Sequence, residues 1–152
     1  MNNLNAKIKN NSDPDIVDIH SAIESASESI NHLHKIIKES SILIASARYD
    51  EAFKCMDKIY SMLDLLMKLL RQIITSQSDL FKGNATAQKN LNQIEVHLLG
   101  VMKALVVAKE KKDYIMVADL LEYELIDNLT QWKIKILLEI SKFLNQSLKI
   151  ET

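Results

Sequence analysis

The chain has 152 residues, 47% of them hydrophobic and only 5% aromatic, which suits one domain with an aliphatic core and excludes a disordered chain. Its net charge is −1, with nine Lys/Arg against ten Asp/Glu in residues 1–76 and ten against ten in residues 77–152, so neither a basic half nor an acidic tail exists. One proline and two glycines are too few for a turn-rich β-protein and require long helices.

Arg48 and Arg71 are the only arginines, which argues against nucleic-acid binding, where arginine is the usual reader of phosphate and bases. Cys55 is the single cysteine, so neither a disulfide framework nor a multi-cysteine zinc site can form within one chain. It reads as a small buried hydrophobe on a helix. The stretch Met1–Ser12 is rich in Asn and Lys, has no apolar run, and is expected to be a disordered lead rather than a signal peptide. No window reaches the roughly 18 uninterrupted apolar residues of a membrane span, and a cytoplasmic location is expected.

One domain is expected over 13–152, opening with Ser12-Asp13-Pro14-Asp15, a helix start with proline in the first turn and acids at the positive end of the dipole. The first helix alternates spacings of three and four through Ile16, Ile19, Ile23, Ala26, Ile30, Leu33, Ile37, Ser40 and Ile44, a heptad seam. A break at Ala45-Ser46-Ala47-Arg48 leads to a second helix over about Tyr49–Gln77. Its stretch Met62–Leu70 is apolar around much of its circumference, so it meets several neighbours or a partner. Ser78–Ala85 reads as a loop and Thr86 as the cap of a third helix. That helix repeats the heptad rule at Ala87, Leu91, Ile94, Leu98, Val101, Leu105 and Ala108. Glu110-Lys111-Lys112-Asp113 makes a tight turn with cations at the helix C-terminus. The fourth helix, over about Asp113–Leu148, has the seam Tyr114, Ala118, Leu121, Leu125, Asn128, Trp132, Ile136, Ile140 and Phe143, with a second apolar line at Ile126, Leu137 and Leu144. After Trp132 the spacing departs from the heptad. An internal repeat at an offset of 65 residues would align Leu33 with Leu98, Ile37 with Met102, Tyr49 with Tyr114 and Met56 with Leu121. The expected fold is an all-α, antiparallel up-down-up-down four-helix bundle, roughly 40–50 Å long.

Bundle chemistry narrows the candidate sites. A di-metal carboxylate centre needs Glu-x-x-His pairs, but Val17, Ser29, Asn31 and Ile94 stand three residues before His20, His32, His34 and His97. Glu28 precedes His32 by four, on the polar face. Histidine phosphotransfer needs an exposed His, a Lys three residues on, then a small residue. His32 and Lys35 meet the first two requirements, and Ile36 stands where the small residue belongs. His97 is followed by Gly100 but lacks the Lys. Both histidines read as polar-face residues. Asp113, Asp119, Glu122, Glu124 and Asp127 read as a solvated face near no partner His, or as an acidic docking strip. Asn128, between Leu125 and Trp132 on the seam, reads as a register-fixing polar residue. Gly83 and Gly100 stand alone, so no phosphate-binding glycine loop is present.

Asp113-Tyr114-Ile115-Met116-Val117-Ala118-Asp119-Leu120-Leu121-Glu122-Tyr123-Glu124-Leu125, followed by Trp132, resembles a stretch in small uncharacterised helical proteins of low-GC Gram-positive bacteria. It brings no functional residues with it. A small all-α protein ending in a Leu-rich helix with a Trp also looks, in architecture, like the flagellar and type III export chaperones. These features point to a non-enzymatic bundle acting through protein–protein contacts or self-association, with an export-chaperone-like adaptor as its finer form. The alternative is a divergent phosphotransfer module using His32. No cofactor, metal, nucleic acid or small-molecule ligand is expected. The expected partner-binding residues are Met62, Leu65, Met67 and Leu69, on a Met/Leu ridge of the kind that repacks against apolar partners.

Overall fold

The computed structural model describes residues 14–150, and side chains within 19–148. The expected lead over 1–12 and the seam residue Ile16 lie outside these limits. Among the described residues the chain is helical with no strand. Helix α1 spans Pro14–Ala45, α2 Tyr49–Ser76, α3 Ser78–Gly83 and α4 Ala85–Glu110. The last helix, α5, runs over 114–150 without a break, but two of its stretches, Leu120–Leu125 and Trp132–Leu137, are π-helical.

Five helices are therefore present among the described residues rather than a strict four. The expected loop at Ser78–Ala85 contains α3, which turns Leu80 and Phe81 into the core and so closes one end of the bundle. The cap of α4 is Asn84, not Thr86. Asn84 adopts an extended backbone and its side chain accepts from the Ala87 N–H at 3.0 Å, while Thr86 lies exposed inside the helix.

The heptad positions of α1 from Ile19 to Ile44 are all buried, as are all seven of α4. Ser40 is wholly buried within that seam and its hydroxyl has no partner among the described residues, whereas the neighbouring Ser41 hydroxyl donates to the Ala118 carbonyl on α5. Cys55 is half-buried against the core, more exposed than expected.

The α5 seam differs from the heptad expectation. It begins at Val117, with Tyr114 and Ala118 half-buried beside it, and takes in Leu129 and Leu137 as well as Leu121, Leu125, Asn128, Trp132, Ile136 and Ile140. The π turns supply the reason. Each π hydrogen bond spans one residue more than an α bond, so successive spacings of four, as at Val117, Leu121 and Leu125, keep to one face instead of drifting.

The α1–α2 and α4–α5 hairpins have turns of the same construction. In the first, Ala47 is left-handed at φ 57°; Arg48 N–H donates to the Leu43 carbonyl and Ala47 N–H to that of Ile44. In the second, Lys112 is left-handed at φ 56°; Asp113 N–H donates to the Ala108 carbonyl and Lys112 N–H to that of Lys109. Both are Schellman closures, made here without the usual glycine. Each of these residues has its counterpart 65 positions on, the offset read from the sequence. The next residues in register, Tyr49 and Tyr114, stack on each other with ring centroids 3.9 Å apart, which sets the two turns side by side at one end. Phe53 packs on Tyr114 and carries Lys109 over its ring.

Helix α1 packs along α2 and along α5, and α5 packs along α4. The bundle is thus closed on three sides. On the fourth, α2 and α4 approach far less closely and leave a groove between them.

Candidate functional site

The groove follows from how the apolar residues of α2 and α4 are distributed. Met67, Leu70 and Ile74 form one wall; Leu98, Leu99 and Met102 form the other. Trp132 of α5 lies beneath, fully buried. Its indole N–H finds no acceptor among the described residues. The cavity measures about 400 Å³, and its polar lining includes Arg71 on α2 and Glu95 on α4, both exposed and neither ion-paired among the described residues.

Beyond the groove, α4 carries an apolar outer surface. Val96 is 71% exposed, Leu99 56% and Val106 50%, with Val107 close behind. Residues 96, 99, 103 and 106 follow spacings of three and four and so make one stripe, interrupted only by Lys103. By length and composition α4 could cross a membrane: its most apolar window has a mean hydropathy of 1.3, and only 33% of that window is buried. Its inner seam of seven buried residues makes it a core helix, so the excess apolar character belongs to the outer face.

The four expected partner-binding residues do not share a surface. Met67 belongs to the groove. Leu65 is 67% exposed and lies about 200° around α2 from Met67, given 3.6 residues per turn. Met62 and Leu69, at spacings of three and four from Leu65, line up with it and are half-buried against the core. That stripe has one strongly exposed member, which is ordinary for a soluble surface.

A second cluster joins α4 to α5. The Asn128 side-chain amide donates to the Ile94 carbonyl at 3.0 Å and faces His97 Nδ1 at 2.9 Å. The carbonyl only accepts, so the amide nitrogen must face it, and His97 Nδ1 then accepts from the same nitrogen. The imidazole proton accordingly sits on Nε2, which donates to Glu124 at 2.9 Å. Both ring nitrogens are engaged, so His97 serves as a latch between helices and has no free nitrogen for a substrate. Asn128 is fully buried, and its Oδ1 lacks a partner among the described residues. A shallow polar cavity of about 340 Å³, bordered by Gln93, Gln131 and Lys135, adjoins it.

This cluster corrects the reading of the acidic run as lying near no histidine: Glu124 is paired with His97. Asp113 is also committed, accepting from the Met116 N–H at 3.1 Å as the N-cap of α5. Asp119, Glu122 and Asp127 are exposed. His32 and Lys35 stand exposed on α1, with Ile36 turned into the core beside them. His34 is half-buried. Burial holds its pKa below the ordinary imidazole value; the Ile126 carbonyl opposes this, and the charges of Lys133 and Lys38 reinforce it. Among the described residues no group of three or more His, Cys, Asp or Glu side chains could hold a metal ion.

Fold and site together define a small all-α bundle with an apolar groove on one open side and a hydrogen-bonded latch on another. The chain belongs to the family described as a domain of unknown function, DUF8042, which matches residues 21–135, from the first third of α1 to the second π turn of α5. No curated protein and no solved structure matches the chain.

Proposed function

We propose that this protein is a non-enzymatic, cytoplasmic adaptor that works by receiving an apolar helical surface in the α2–α4 groove. One observation carries the reading: a bundle closed on three sides leaves Met67, Leu98, Leu99 and Met102 lining a groove on the fourth, beside the exposed stripe Val96, Leu99 and Val106. An apolar stripe next to a groove is the surface that amphipathic helices use, seating side chains at spacings of three and four. An export-chaperone-like adaptor is the finer form of this proposal, since holding an apolar helix of a client until delivery requires such a face.

The reading is tested by comparing two single substitutions on exposed leucines. Leu99→Glu, on the groove wall, abolishes association while leaving far-UV circular dichroism unchanged. Leu65→Glu, on the far flank of α2, changes neither. Loss of association with Leu65→Glu and its retention with Leu99→Glu would move the binding surface to the Met62, Leu65 and Leu69 stripe.

A further inference from the structure

We infer that the occupant of the α2–α4 groove is a second copy of this chain, related by a two-fold axis. The inference rests on the reading of the groove as a docking surface and adds the identity of the partner.

Three features point to a copy of the same chain. First, the same face carries both a groove and a ridge. A groove between α2 and α4 lies beside a ridge on α4 made by Val96, Leu99 and Val106. A two-fold operation sets the ridge of each copy against the groove of the other, the isologous arrangement that most homodimers use.

Second, the charges are self-complementary. Arg71 stands on the α2 side and Glu95 on the α4 side, both exposed and neither ion-paired among the described residues. A two-fold axis running between the paired faces brings Arg71 of each copy toward Glu95 of the other, so one pair of residues makes two ion pairs. Such an arrangement fixes register and disfavours a parallel slide that would face like charges.

Third, the area is right. Helix α4 has 26 residues. At 1.5 Å per residue it is about 39 Å long, and a face two helices wide covers on the order of 800 Å², close to what one partner contributes to a standard stable interface.

The test exploits the charge reciprocity. Sedimentation equilibrium on the unaltered chain should show a concentration-dependent dimer. Arg71→Glu and Glu95→Arg, each on an exposed side chain, should each weaken it at least tenfold, because every cross-pair then joins like charges. Mixing the two variants should restore a heterodimer, since each copy now opposes the other's charges at both positions. Restoration on mixing cannot arise from a pair within one copy. Leu99→Ala supplies a control that trims the apolar ridge without adding a charge and should also weaken the dimer, and circular dichroism verifies the fold of all three. A chain that stays monomeric to millimolar concentration overturns the inference. So does a dimer indifferent to both charge variants. The groove's role as a docking surface is judged separately: a photo-crosslinker at Leu99 that captures a different protein keeps that role and rejects the second copy, and one that captures nothing, with the chain monomeric, rejects both.

Discussion

Leu98 and Leu105 are one heptad apart on the same face of the same helix, and the sequence offers no way to tell them apart. The structure does. Leu105 is wholly enclosed, whereas Leu98 forms part of the groove wall. Replacing a buried leucine by alanine costs about 2–5 kcal/mol, and the spread depends on whether an empty cavity remains. At Leu105 the removed methyl groups leave a closed void, so the cost falls at the upper end, about 4–5 kcal/mol. At Leu98 the space merges with a groove already open to water, so only the lost burial counts, about 2–3 kcal/mol. For a chain of this size a difference of about 2 kcal/mol corresponds to some 4–8 °C in melting temperature. Urea unfolding followed by circular dichroism measures both variants, in the Arg71→Glu background so that copies repel. Equal costs, or a larger cost at Leu98, would mean that the groove is not open in the isolated chain.

Three further expectations follow from local geometry. Ala47→Gly and Lys112→Gly should each stabilise the chain by about 0.5–1 kcal/mol in urea unfolding, because both residues hold left-handed backbone at φ 57° and 56°; destabilisation would show that these turns are not left-handed. A double-mutant cycle on Tyr49→Ala and Tyr114→Ala should return a coupling of about 0.5–1.5 kcal/mol from the ring stack, and simple additivity would place the two turns apart. His34 should make stability rise with pH. Its folded pKa lies below the unfolded value of about 6.5, so acidification through that value protonates the unfolded chain first, and the loss ends once pH falls below the folded pKa. Stability curves across pH 4–8 should be flatter for His34→Gln than for the unaltered chain, and an unchanged slope would remove burial of His34 from the account.

How far the sequence revealed this protein depended on what each element requires. The α4 seam was fully legible because a helix that stays α throughout keeps to the heptad, and all seven predicted positions, Ala87 through Ala108, are buried. On α5 the same rule missed Val117 and Leu129 and set Leu137 on a separate line, since π turns alter how many residues make a revolution and no residue type announces them. Asn128 was recognised as a buried polar residue on a seam, and the shift of spacing after Trp132 coincides with the second π turn. Its partner His97 and the Glu124 contact were missed. They lie 27 and 31 residues apart along the chain, and which faces meet depends on the rotation of α5. The apolar excess near Met62–Leu70 was visible, but periodicity alone could not say that Met67 faces a groove while Leu65 faces away. That division depends on which side of the bundle stays open, a property of four helices together and of none singly.

The central claim is that the α2–α4 groove is where this protein meets its partner, and site-specific photo-crosslinking in the native cellular setting tests it most directly. A benzophenone side chain would be placed singly at Leu99 on the groove wall, at Leu65 on the far flank of α2 and at Ile115 near the turn end of α5, all exposed positions. The account predicts an adduct from Leu99 and none from the other two, with a mass of twice 17.3 kDa where the partner is a second copy. Adducts from Leu65 or Ile115 with none from Leu99 would contradict it.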